Sequence, residues 1–190
     1  MFSFTRPLFL FLDRDGVINV EKQEAYINHW DEFIFYENAE AAIGLLSPLV
    51  DKVFLVTNQK GVGRGITPID ELHRIHHNMV TAVEKSGGRF DKIYFAPDLE
   101  NDSPNRKPNP GMALQARADF PEVVLENSIM IGNNGSDMQF GRNAGIGCNI
   151  LLTTTKPLSA VDASLYDYHF DSLHAAAVWI TSKLGTNPKI

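Results

Sequence analysis

The sequence predicts an α/β fold, a three-layer α/β/α sandwich built on a mostly parallel sheet. Three observations predict it. Short apolar runs recur along the chain, stretches with helical periodicity separate them, and the runs are continuous instead of alternating, as in strands covered on both faces by crossover helices. With 190 residues, 44% of them hydrophobic and 21% charged, the chain is expected to form one domain, residues 1–190.

The elements follow in order. The amino-terminal MFSFTRPLFLFLDRD has an apolar run, Leu8 to Leu12, too short for a signal-peptide core and leading into acidic residues, so it reads as a buried strand. A helix is expected near Asn38 to Leu46, then a strand in KVFLVTN. Thr67-Pro68-Ile69-Asp70 opens the longest helix, with a capping hydroxyl, proline at the first helical position and an acidic first turn. Ile69, Leu72, Ile75, Met79 and Val83 recur at spacings of three and four, and Gly87-Gly88 ends that helix. KIYFAP, SIMIGN and CNILLT are further strands with helices between them. Tyr166 to Phe170 reads as an edge strand, after which Asp171 or Ser172 caps a helix carrying Leu173, Ala176, Ala177 and Ile180. The closing GTNPKI is expected to fray.

Composition excludes several classes. A formal net charge of −6 gives no general field for nucleic acid or an anionic membrane, so any phosphate must be held locally. Cys148 is the one cysteine, which rules out an internal disulfide and fits a reducing, cytoplasmic setting. No stretch approaches the roughly 20 apolar residues of a membrane span. Nothing in the sequence defines an oligomeric state.

In a parallel sheet, ligands bind beyond the carboxyl ends of the strands, so the polar residues after each apolar run belong together. They are Asp13-Arg14-Asp15-Gly16, Thr57-Asn58-Gln59, Arg106-Lys107 and Gly132 to Asp137. Residues two apart on a strand share a side, so Asp13 and Asp15 can converge while Arg14 points away. Two such carboxylates call for a cation, and Mg²⁺ suits a phosphate substrate. Lys107 adds positive charge, and Thr57 offers a hydroxyl to phosphate oxygens.

This ordered quartet resembles the haloacid dehalogenase (HAD) superfamily of phosphatases, with its Rossmann-like sheet, and the short intervals from Asp13 to Thr57 and from Thr57 to Lys107 leave no room for a large cap domain. FLDRDGVIN, TNQKGVGRG and RKPNPGM are similar to the subgroup of D-glycero-D-manno-heptose 1,7-bisphosphate 7-phosphatase and histidinol phosphatase. The resemblance implies that Asp13 is the nucleophile, forming an aspartyl-phosphate, and that Asp15 is the general acid and then base. Thr57 and Lys107 would hold the transferring group. Asn58, Gln59, Arg106 and Asn134 would contact substrate, while Asp13, Asp15 through its carbonyl, Asn133 and Asp137 would hold Mg²⁺. The implied partner is a small phosphorylated metabolite, first a heptose bisphosphate.

Two departures stand out. The subgroup's zinc loop of three Cys and one His is replaced by APDLENDSPN, which has no soft or imidazole ligand, so no zinc is expected there. Relatives usually place an aspartate directly after the glycine of the fourth motif, where this chain has the neutral Asn133, whose amide oxygen can still coordinate Mg²⁺, with Asp137 compensating either as a direct ligand or through a bound water.

Other readings compete. Gly61 to Ile66 imitates a dinucleotide fingerprint but has the wrong glycine spacing, and reads instead as a tight loop beside the site. His73 and His77 have zinc-pair spacing without a third ligand, so the histidines of this helix are expected at the surface or partly packed. Cys148 is expected in the core. The aromatic stretch from Val20 to Phe35 either covers the site or packs on the core. Rival activities are a histidinol phosphatase, a nucleic-acid 3′-phosphatase, and a protein that binds phosphometabolites without turnover.

Overall fold

The computed structural model describes residues 4 and 6–185. In chain order the elements are β1 (Phe9–Leu12), α1 (Ala39–Leu46), β2 (Lys52–Asn58), α2 (Lys60–Gly63), α3 (Ile69–Lys85) and β3 (Lys92–Ala96). They continue as α4 (Gly111–Asp119), β4 (Ser128–Gly132), α5 (Gly135–Ala144), β5 (Cys148–Leu152), β6 (Tyr168–Phe170) and α6 (Leu173–Gly185). One six-stranded sheet runs β3-β2-β1-β4-β5-β6, and every neighbouring pair is parallel.

Strand β1 sits at the centre because it is apolar on both faces and fully buried. Leu8, Leu10 and Leu12 share a cluster with Ala42 and Ile43 of α1, Met79 of α3 and Ile180 of α6. Phe9 and Phe11 join the opposite cluster with Met112 of α4 and Phe140 of α5. Period-two alternation thus feeds two helical layers from one strand, each buried large side chain contributing about 1.5–3 kcal/mol. The sheet order reverses direction between β1 and β4, whose register pairs Leu12 with Ile131. Leu12 also pairs with Leu55 of β2, so three strand ends open on the same side, where ligand crevices form.

Three local expectations change. Thr67 does not cap α3; Pro68 is the cap residue, and the Thr67 hydroxyl donates to Asn28 Oδ1 at 2.6 Å. The excursion after β1 packs there and offers a closer acceptor than the helix's own N–H groups. The glycine segment after β2 is a short helical turn, not an open loop, and a Cβ on Gly63 would stand 2.0 Å from the Pro97 carbonyl oxygen. His76 is buried instead of lying at the surface or partly packed; at four residues from Leu72 and three from Met79 it falls on the apolar face of α3.

Ser172, one of the two caps expected for α6, accepts from the Ala175 N–H at 3.2 Å. Cys148 is buried in its strand, and burial pushes its thiol up to about 12. The aromatic excursion divides in two: Phe33 stacks on Trp30 at 5.0 Å and meets Phe35 at 4.9 Å against the core, while residues 21–27 stand at the crevice. The expected fraying of residues 186–190 lies outside the described residues. No helix among the described residues is long and apolar enough to cross a membrane.

Candidate active site

Lys107 organises the crevice. It follows β3 in a loop clamped to β2, where Asn58 Oδ1 accepts from the Lys107 N–H at 2.9 Å and Asn58 Nδ2 donates to the Lys107 carbonyl at 3.0 Å. The side chain is buried, and its ammonium lies 2.8 Å from each of Asp13 Oδ1, Asp137 Oδ1 and the Val56 carbonyl oxygen. All three donors of the group are therefore satisfied. Burial works to lower the pKa of Lys107, but Asp13 and Asp137 outweigh it and raise it above the usual lysine range.

Asp13 stands directly after β1 and is nearly buried. Burial raises its carboxyl, Lys107 pulls it back, Asp137 adds to the rise, and the outcome is about 7. Asp15 is set the other way. Burial works to raise its pKa, yet the Arg14 charge and hydrogen bonds from Asn19, Arg14 and Gln59 outweigh that and hold it below the usual carboxylate range. Asn19 Nδ2 donates to Oδ1 at 2.9 Å and Gln59 Nε2 to Oδ2 at 3.0 Å. Gln59 Nε2 also donates to Thr57 Oγ1 at 2.9 Å, tying the second motif to the first.

The fourth motif wraps the start of α5. Asp137 Oδ2 accepts from the Asn133 and Asn134 N–H groups at 3.1 and 2.9 Å, one half of a capping box whose other half is the Asn134 side chain. Such boxes satisfy the orphan donors of a helix start. With one oxygen on Lys107 and the other on the main chain, Asp137 anchors the lysine. Asn133 is buried against Gly16, whose φ of +86° and missing Cβ let the amide approach; a Cβ there would lie 2.0 Å from Asn133 Nδ2. Thr155 Oγ1 takes the Asn133 Nδ2 donor at 2.9 Å, and the buried Oδ1 has no hydrogen-bond partner.

Two adjoining cavities open here. One, about 150 Å³, is lined by Asp13, Asp15, Thr57, Lys107, Asn134 and Asp137 among others. The second, about 180 Å³, runs from Asp15 to Lys22, Tyr26 and Gln59. Asp15, Glu21 and Asn58 border both. The four motifs thus meet at one place, and of the four expected substrate contacts Asn58, Gln59 and Asn134 line the cavities while also bonding within the protein. Asn58 clamps Lys107, Gln59 braces Asp15, and Asn134 caps α5 while accepting from Lys156 Nζ at 2.7 Å. Arg106 turns away: its guanidinium donates to the Asp98 carbonyl at 3.2 Å, and it lines neither cavity. Without the zinc-loop ligands, residues 98–106 close on themselves, and Arg106 is drawn into that closure.

Three participants escape the strand-end reading. Arg14 does not point away from the site; its Nη2 lies 2.9 Å from Asp15 Oδ2. Glu21 sits in an irregular segment with no periodic signal. Thr155 follows the fifth apolar run, and the rule that found the other motifs, carried one strand further, reaches it.

Residues 104–176 match the HAD-hydrolase-like family model. The chain is 34% identical over 172 residues to the D-glycero-beta-D-manno-heptose-1,7-bisphosphate 7-phosphatase of Vibrio cholerae, covering 86% of this chain and 91% of that one. It is 38% identical over 147 residues to the D-glycero-alpha-D-manno-heptose-1,7-bisphosphate 7-phosphatase of Campylobacter jejuni, covering 77% and 83%. A solved D,D-heptose 1,7-bisphosphate phosphatase from B. bronchiseptica, complexed with magnesium and phosphate, superposes with a TM-score of 0.83 at 27% identity, covering 92% of this chain and 98% of that one. Fold and site therefore define a HAD-like hydrolase. Within that class, the chain belongs to the heptose-1,7-bisphosphate 7-phosphatase family.

Proposed function

We propose that the chain hydrolyses a phosphomonoester through an aspartyl-phosphate on Asp13, and that its substrate is a D-glycero-D-manno-heptose 1,7-bisphosphate, from which it removes the 7-phosphate. The observation that carries this reading is the convergence of Asp13, Asp15, Thr57 and Lys107 on one cavity at the strand ends. Names of relatives support the substrate.

In this mechanism an Asp13 oxygen attacks phosphorus as the ester P–O bond breaks. Lys107 orients Asp13 and, with Thr57, faces the charge on the transferring group. The low pKa of Asp15 leaves it ionised in the resting site; an incoming phosphate dianion beside it raises its proton affinity, and it takes up one proton from solvent as substrate binds. It gives that proton to the leaving alkoxide, so an alcohol departs and the aspartyl-phosphate remains. Asp15 then takes a proton from water, whose oxygen attacks phosphorus, returning the Asp13 carboxylate and inorganic phosphate.

Mg²⁺ fits the donors present. The Asp13 carboxylate, the Asp15 carbonyl and the unpartnered, buried Asn133 Oδ1 are hard oxygen ligands. When bound, Mg²⁺ supplies positive charge to the phosphoryl oxygens. Because Asn133 brings a dipole where relatives bring a charge, Asn133→Asp is expected to tighten Mg²⁺ about tenfold in calorimetric titration, the size of one added close charge in a partly screened site. Unchanged affinity would remove Asn133 from the ligand set. The lone buried Cys148 supports a cytoplasmic setting.

The deciding experiment measures phosphate release from both heptose 1,7-bisphosphate anomers, histidinol phosphate, other sugar phosphates and a 3′-phosphorylated oligonucleotide, with and without Mg²⁺. Mg²⁺-dependent preference for a heptose bisphosphate is expected. Preference for another ester keeps the mechanism and moves the substrate. Saturable binding without release at any Mg²⁺ concentration makes the chain a binding protein.

A further inference from the structure

The geometry points to His76, on α3 and 62 residues from β1's Asp-x-Asp motif, as a positioning residue that holds Arg14 against Asp15 and so orients the carboxylate that protonates the leaving group. The inference rests on the phosphatase reading above.

Arg14 is 1% exposed, so its guanidinium must find its partners inside the protein. Among the described residues it has two, Asp15 and His76. Nη2 lies 3.0 Å from Asp15 Oδ1 and 2.9 Å from Oδ2, a forked contact that restricts rotation of the carboxylate. Nη1 lies 3.1 Å from His76 Nε2, and Nε has no partner. His76 is thus the side chain that fixes Arg14 independently of Asp15. An arginine has no acceptor atom, so His76 Nε2 must accept and the ring proton resides on Nδ1. Burial, reinforced by the Arg14 charge, holds the imidazole down to about 3, keeping it in the neutral form that can accept.

The imidazole is itself held. It stands on the buried face of a 17-residue helix, and its ring meets Phe95 of β3 edge-on at 6.2 Å. A rigid helix on one side and the β1 strand end on the other therefore grip the two ends of the Arg14 guanidinium. Removing the imidazole takes away the partner of the buried Nη1 and frees the guanidinium to seek another acceptor along the cavity it lines, and Asp15 loses its fork. Asn19 and Gln59 still hold one oxygen each, so the site is loosened without being dismantled.

The test uses leaving groups. A sugar alkoxide needs a proton as it departs, whereas p-nitrophenolate leaves well without one. The quantity kcat/KM reports events through phosphoryl transfer and is blind to later hydrolysis of the aspartyl-phosphate. In His76→Ala, kcat/KM for heptose bisphosphate is expected to fall about tenfold or more, while that for p-nitrophenyl phosphate falls less than about threefold. His76→Gln, which restores an acceptor on a similar reach, is expected to recover most of the sugar phosphate activity. Thermal midpoints and circular dichroism establish that each variant is folded, and His76→Gln decides the matter if His76→Ala is not. Equal loss on both esters, or no difference between Gln and Ala in folded protein, overturns the positioning role while leaving the phosphatase reading intact. A parent chain that hydrolyses neither ester overturns both.

Discussion

Asp13→Asn is expected to lower turnover of the preferred phosphomonoester by at least about 10³-fold, a loss of roughly 4 kcal/mol of transition-state stabilisation, while the protein stays folded. The amide is close to isosteric but carries no nucleophilic charge, so no aspartyl-phosphate forms. Lys107 does not become an unpaired charge, because Asp137 Oδ1 remains 2.8 Å from its ammonium. Steady-state phosphate release measures the first effect, and mass spectrometry of the acid-quenched parent chain looks for a phosphoryl group on the Asp13 peptide. Turnover within tenfold of the parent would remove Asp13 from the chemistry.

The same variant has a signature in stability. The Asp13 carboxyl is raised in the fold to about 7 from an ordinary value of 3.8, so the folded chain binds a proton that the unfolded chain releases between those values. Stability from this group is therefore full below about 4 and is lost as pH rises through about 7. His76 acts oppositely: with its pKa lowered from 6.5 to about 3, the unfolded state gains a proton first and stability is lost as pH falls below 6.5. The parent's profile combines both. The difference between Asp13→Asn and parent isolates the first, and the variant's relative stability is expected to increase as pH rises from 4 to 7.

The fold was legible because both of its signals are local. Continuous apolar runs such as FLFL and SIMIG announce strands buried on two faces, and helix-period stretches between them force parallel crossovers. The four motifs were legible for a related reason: strand ends in a parallel sheet converge, so sequence order alone groups Asp13, Thr57, Lys107 and Asn133. What could not be read was how side chains choose among partners that meet only in space. Asp137 is one more carboxylate in the sequence, and only the fold shows that it holds a lysine and a helix N-terminus. Arg14 alternates away from Asp15 on an ideal strand, but β1 ends at Leu12 and the turn that follows brings its guanidinium back to the carboxylate. His76 has an ordinary place in a helical pattern, and its partner lies 62 residues away. Helix periodicity marks that face as buried; it does not say that a buried arginine waits there.

Those choices also explain why polar residues crowd so densely into this crevice. Asn58 and Gln59 each complete a bond that holds another motif, and Asn134 caps the helix of its own motif, so these three side chains form a layer that braces the acidic and basic groups. The layer fixes Asp13 and Asp15 in environments that push their proton affinities apart, one upward and one downward. Paired titratable groups separated in this way are suited to distinct roles in one reaction. The second cavity, walled by residues 21–27, opens beside Asp15.

Lys107→Met is expected to be the most destabilising single change in the site, by about 3–5 kcal/mol, because it breaks a buried charge network by removing its shared partner. Lys107 is 3% exposed and holds two carboxylates and a main-chain carbonyl on one ammonium. Methionine fills much of the volume but gives none of the three bonds, and Asp13 and Asp137 then face each other without a cation. One or both must take up a proton, so the penalty is expected to be smaller at pH 5 than at pH 8. Chemical denaturation at the two pH values measures this directly. Adding Asp137→Asn to Lys107→Met removes one of the stranded carboxylates and is expected to restore part of the stability without restoring turnover. That non-additivity distinguishes a stranded charge from a simple packing defect, since a cavity left by the lost lysine stem would be indifferent to the charge of Asp137. Equal stability losses at both pH values, with no recovery in the double variant, would show that Lys107 contributes through packing alone.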